Sequence, residues 1–82
     1  MKEKIQELRN SGLGKLEKLV TTDQLSDWHR DFLGRKGELT LLLKQLGELP
    51  AEERPAVGKE VNRLKLELQE AFYTNQDRVR QQ

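Results

Sequence analysis

An Arg35-Lys36 pair stands between two glycines in the stretch FLGRKGELTLLLK, Phe32 to Lys44. Two adjacent cations at a backbone bend can project together toward an anion. The amides of Glu38 and Leu39 just beyond begin a helix, and helix N-termini receive phosphate well. Arg30 and Lys44 lie a turn or two away. The chemistry open to Arg30, Arg35, Lys36 and Lys44 is that of gripping a polyanion, not of making or breaking bonds. A plainer reading uses the same residues. Cations beside a helix C-terminus complement its dipole, and glycines at a bend act as caps. On residue types alone the plainer reading carries more weight. Trp28 and Phe32 divide in the same way: they are platforms for stacked bases or, from their helical spacing with Leu25, core residues.

Other chemistry finds no constellation. His29 is the only histidine and sits in the charged run WHRD, where a solvated imidazole is the simple reading. No HExxH, GxxxxGK[ST] or GxGxxG pattern occurs. Ser11 and Ser26 have no base or orienting partner nearby in the sequence. The carboxylates alternate with Lys and Arg at helical spacing, as on an exposed helix face. With no cysteine, neither a disulfide nor a thiolate-held metal is available. No catalytic residue, metal site or cofactor is expected in this segment.

The elements that carry these residues follow from periodicity and punctuation. Ile5, Leu8, Leu16, Leu19 and Val20 share one face of a first helix over 2–20, weakened by Asn10, Ser11, Gly12 and Gly14. That helix is expected to be the loosest, with a kink near Gly12. Thr21 and Gln24 have capping-box spacing, and a second helix over 23–33 carries Leu25, Trp28 and Phe32. Gly34 stops it and Gly37 frees the backbone again. A third helix over 38–46 places Leu39, Leu42, Leu43 and Leu46 on the i, i+3, i+4, i+7 template. The turn ELPAEERPAVG follows, with Pro55 suited to the first turn of a fourth helix over 55–82. Val57, Val61, Leu64, Leu68 and Ala71 form a coiled-coil seam there, extended by Phe72 and Val79 but interrupted by Asn75 and Arg78. At 1.5 Å per residue this helix is roughly 40 Å long.

A glycine inside a helix costs about 1 kcal/mol relative to alanine, so two of them around Arg35-Lys36 need a reason. They let the second and third helices follow one long partner with a bend between them. The expected fold is all-α, an antiparallel helical hairpin or coiled-coil arm with a shorter N-terminal helix packed on it. Composition agrees: 82 residues, 34% hydrophobic and 35% charged, suit an elongated layer with a thin core. The net charge is only +1, but it is uneven. Residues 1–20 carry five cations against three acids and 35–47 three against one, whereas 21–34 and 48–60 are net acidic. No signal-like run or membrane-length apolar stretch occurs, and a soluble, cytoplasmic protein is expected. The final DRVRQQ has no stop signal, so the single 82-residue domain is expected to be a piece of a longer chain.

Residues Phe32 to Lys65 closely resemble the N-terminal region of the bacterial-type phenylalanyl-tRNA synthetase alpha subunit. That family reads as an aromatic, LGKKGELT, a leucine-rich helix, LPPEERPAAG and a helix with VNxxK. The matches are Leu33-Gly34, Lys36-Gly37-Glu38-Leu39-Thr40, Leu49-Pro50, Glu52-Glu53-Arg54-Pro55-Ala56, Gly58, Val61-Asn62 and Lys65. Arg35 replaces the commoner Lys and Ala51 the second Pro, while Arg30-Asp31 departs from the usual apolar residue and cation. The resemblance implies a coiled-coil arm, non-catalytic by itself, that touches tRNA within an (alpha-beta)2 enzyme containing a beta subunit. It also implies that ATP, Mg2+ and phenylalanine are bound elsewhere in a class II ligase serving translation. Joined to this resemblance, the basic bend makes Arg35 and Lys36, then Arg30 and Lys44, the expected RNA-binding residues, with no membrane or DNA partner. The other reading is a structural or protein-interaction coiled coil without RNA binding.

Overall fold

Capping chemistry sets the first clear boundary. Thr21 is extended and its side chain accepts from the Gln24 amide at 3.1 Å, while Gln24 Oε1 accepts from the amides of Thr21 and Val20. This reciprocal box satisfies donors that a helix start leaves open. In the computed structural model, which describes residues 2–81, four helices follow one another: α1 (Lys2–Glu17), α2 (Thr22–Leu33), α3 (Glu38–Leu46) and α4 (Arg54–Arg80). No strand occurs among the described residues. The fold is an all-α hairpin with α1 packed on it.

Side-chain links fix the directions. Lys4 Nζ donates to Gln45 Oε1 at 3.1 Å, Arg9 pairs with Glu67 at 2.7 Å, and Arg78 donates to the Leu19 carbonyl at 2.7 Å. Thus α1 runs parallel to α4, and the α2–α3 pair runs antiparallel to both. The resulting rod measures 47 × 19 × 16 Å. One core runs along it: Ile5, Leu8 and Leu16 from α1; Leu25, Trp28 and Phe32 from α2; Leu39 and Leu42 from α3; and Val61, Leu64, Leu68 and Val79 from α4. Leu42 and Leu64 belong to this same cluster, so the stripes before and after the proline turn do meet.

Helix α1 departs from expectation in an instructive way. It is unbroken at Gly12 and makes the fold's most extensive helix–helix contact, with α4. Gly12 is buried where a Cβ would stand 3.0 Å from Leu68 Cδ2, and its carbonyl accepts the Trp28 indole N–H at 3.0 Å. The glycine that lowers helix propensity is what lets α1 approach α4 closely. At its end, α1 stops at Glu17, not Val20. Val20 is consequently 57% exposed in the connection rather than on the helix face.

Two other expectations are refined. Leu43 is 40% exposed and Leu46 half-buried, so only Leu39 and Leu42 of the α3 stripe are buried. Asn75 and Arg78, which interrupt the apolar seam, are both satisfied. Asn75 donates to the Ala71 carbonyl and accepts from Arg78, whose second nitrogen ties down the α1–α2 connection. The α3–α4 connection is held similarly, with Arg54 donating to the carbonyls of Leu49 and Gly47. Gln82 lies outside the described residues. Among the described residues no helix is long and apolar enough to cross a membrane.

Candidate functional site

The Arg35-Lys36 turn is built by hydrogen bonds from both sides. The Gly34 amide donates to Arg30 O at 3.2 Å, closing α2, and the Gly34 carbonyl accepts the Gly37 amide at 3.0 Å. The same carbonyl accepts the Thr40 hydroxyl at 2.8 Å, so the first turn of α3 braces the bend. Arg35 and Lys36 occupy the two central positions and are exposed. Phe32, just before the bend, packs beside Gly12, which in turn meets Leu68 near the midpoint of α4. The turn therefore sits on the flank of the rod, halfway along it.

Both glycines are required by space, because neither has a positive φ. A Cβ on Gly34 would stand 2.5 Å from Arg30 O, and one on Gly37 would stand 2.9 Å from the Phe32 carbonyl carbon. The backbone that approaches these glycines is that of the preceding helix. Gly37 is also the N-cap of α3 and has no side chain to satisfy its first amides. Those donors lie next to two exposed cations.

The four sequence-predicted cations are not equivalent. Arg35 and Lys36 take part in no ion pair among the described residues. Arg30 is held by Asp27 at 3.6 Å and Asp31 at 3.3 Å, so much of its charge is locally offset. Lys44 is in the last turn of α3, roughly 9 Å of helix rise beyond Glu38, the first residue of that helix. Arg30 and Lys36 share one groove; Lys44 does not line it.

That groove, of about 840 Å³, adds two cations from another helix. Lys15, in the last turn of α1, and Lys18, just beyond that helix, line it from a second side, with Leu19, Trp28 and Phe32 also in its lining. Lys15 Nζ stands 5.6 Å from the centre of the Phe32 ring. Asp27, Asp31 and Glu38 are the acids present. Periodicity alone does not single out Lys15 and Lys18. The usable signal was the excess of cations over residues 1–20, together with the i, i+3 spacing of these two at the helix end.

Trp28 and Phe32 are core residues, 4% and 5% exposed. Trp28 stacks on Phe32 at 5.1 Å and on Phe72 at 5.9 Å, so neither ring offers a free stacking face. His29 is exposed and packs its ring 5.0 Å from Phe72. Among the described residues no group of three or more His, Asp or Glu side chains is placed to hold a metal ion.

Known proteins supply a second line of information. The family model described as "Aminoacyl tRNA synthetase class II, N-terminal domain" matches residues 20–82. Phenylalanine–tRNA ligase alpha subunits are similar over most or all of the chain. The protein of Clostridium beijerinckii is 47% identical over 85% of this chain and 21% of its own length. That of Trichlorobacter lovleyi is 39% identical over 100% of this chain and 24% of its own. That of Geotalea daltonii is 44% identical over 84% and 20%. The chain thus spans between a fifth and a quarter of the length of these relatives. No solved structure is significantly similar to it.

Proposed function

Since the chain belongs to the class II aminoacyl-tRNA synthetase N-terminal domain family, in the form found in phenylalanine–tRNA ligase alpha subunits, we propose that it is a tRNA-holding arm. The observation that carries this reading is the exposed Arg35-Lys36 turn on the flank of a slender rod, in no ion pair among the described residues. Phosphate contacts position a nucleic acid without reading its sequence, and an extended rod with projecting cations suits that task. Arg35 and Lys36 make the main contact. Arg30, tied to two aspartates, and Lys44, further along α3, assist it.

In this reading the longer protein attaches phenylalanine to its tRNA in the cytoplasm with ATP and Mg2+, as an (alpha-beta)2 assembly with a beta subunit. The arm contributes binding and orientation of the tRNA, and the bond-making groups lie elsewhere. Titration of the 82-residue chain with phenylalanine-accepting tRNA at two salt concentrations tests the proposal. Arg35→Glu with Lys36→Glu is expected to lower affinity at least about tenfold and to flatten the salt dependence by about one unit of slope per cation. Unchanged binding removes the site assignment.

A protein-interaction module is the second reading. It is favoured by Leu66 and Tyr73, 60% and 62% exposed and one heptad apart on the outer face of α4. A stable dimer in sedimentation, with no tRNA affinity, is its expected result.

A further inference from the structure

We infer that the groove between the end of α1 and the α2–α3 turn is a second seat for the RNA sugar–phosphate backbone, with Lys15 and Lys18 on one wall and Lys36 on the other. The inference rests on the tRNA reading and adds a wall supplied by a different helix. That wall lies before residue 20, outside the segment matched by the family model.

Charge placement supports an anionic occupant. Lys15, Lys18 and Lys36 form no ion pair among the described residues. Two of the groove's three acids, Asp27 and Asp31, already face Arg30, which leaves Glu38 as the remaining acid. Three lysines on two walls therefore meet whatever enters. An ammonium on a flexible stem binds phosphate as a point charge, with no demand for one fixed geometry. This suits a backbone whose phosphates pass at varying angles. Half-buried Leu19 supplies apolar surface at the groove, against which a ribose can rest between those phosphates.

The packing of α1 sets the width of the groove. Gly12, a turn before Lys15, lets α1 close onto Leu68 and has its carbonyl held by the Trp28 indole, and Lys15, Lys18 and Lys36 line the same groove. Docking of α1 thus decides whether the seat exists. A groove made in this way is a clamp across the chain's two halves, not a property of the hairpin alone.

The test is a tRNA titration of the 82-residue chain carrying Lys15→Gln and Lys18→Gln, beside the unmodified chain and the Arg35→Glu, Lys36→Glu variant. Both lysines are exposed, and glutamine is a comparable helix former, so the thermal transition is expected to stay in place. Affinity is expected to fall about tenfold, with the salt slope reduced by roughly one per lysine. Lys18→Gln alone, beyond the last residue of α1, gives part of this loss even if the double variant is poorly folded. If both lysine variants bind like the unmodified chain while the turn variant does not, the groove inference is overturned and the arm reading stands. If the unmodified chain fails to bind tRNA, both fall together.

Discussion

Replacing Leu64 with alanine is expected to lower the stability of the fold by about 2–5 kcal/mol, the usual range for a buried leucine. Leu64 has no exposed surface and lies in the middle of α4, the helix on which α1, α2 and α3 all pack. A domain of this length has a total stability on the order of 4–12 kcal/mol, so one side chain accounts for a large share. At about 4–8 °C per kcal/mol, the midpoint of thermal unfolding falls by about 8 °C or more. Circular dichroism during heating, with a urea titration for the free energy, measures both. A midpoint that does not move means that the rod is not built around this seam.

The second large effect is local. Gly34→Ala is expected to cost about 1–3 kcal/mol, the range for forcing extra volume into a filled site. Its φ of −74° and ψ of 175° suit any residue, so backbone freedom is not what the glycine supplies. The cost arises because the new Cβ meets Arg30 O at 2.5 Å. Relief requires opening the last turn of α2 or moving the Gly34 carbonyl, which holds both the Gly37 amide and the Thr40 hydroxyl. Either shift re-aims Arg35 and Lys36. The variant is therefore expected to lose tRNA affinity beyond what its lower stability explains, measured well below its melting midpoint. Full affinity in a folded Gly34→Ala protein shows that the aim of the turn does not matter.

Much of this fold was legible in the residues, for identifiable reasons. The capping box at Thr21 and Gln24, the stops at Gly34 and Gly47, and the heptad run from Val57 to Ala71 are short-range signals, and short-range physics decides them. Gly12 was misread because its effect is long-range. Within α1 it is a weak helix former, and only the presence of Leu68 and Trp28 alongside turns it into a docking notch. The i, i+3, i+4, i+7 template puts Leu43 on the apolar face of α3, but only Leu39 and Leu42 of that stripe are buried, and how much of a stripe a neighbour covers is set by tertiary packing. The Arg35-Lys36 turn could be picked out because its glycines mark it. Lys15 and Lys18 are distant from it in sequence, and no local pattern announces which cations a tertiary packing brings face to face.

The rod's unequal axes carry a hydrodynamic consequence. A body of 47 × 19 × 16 Å tumbles faster about its length than end over end. Most amide vectors of α4 point along that length, so nuclear relaxation in this helix senses chiefly the slow rotation. A partner seated on the flank widens the short axes and makes the rotation more isotropic, whereas one attached at a tip increases the disparity. The anisotropy of tumbling thus distinguishes a side-on grip from an end-on one without any variant of the protein.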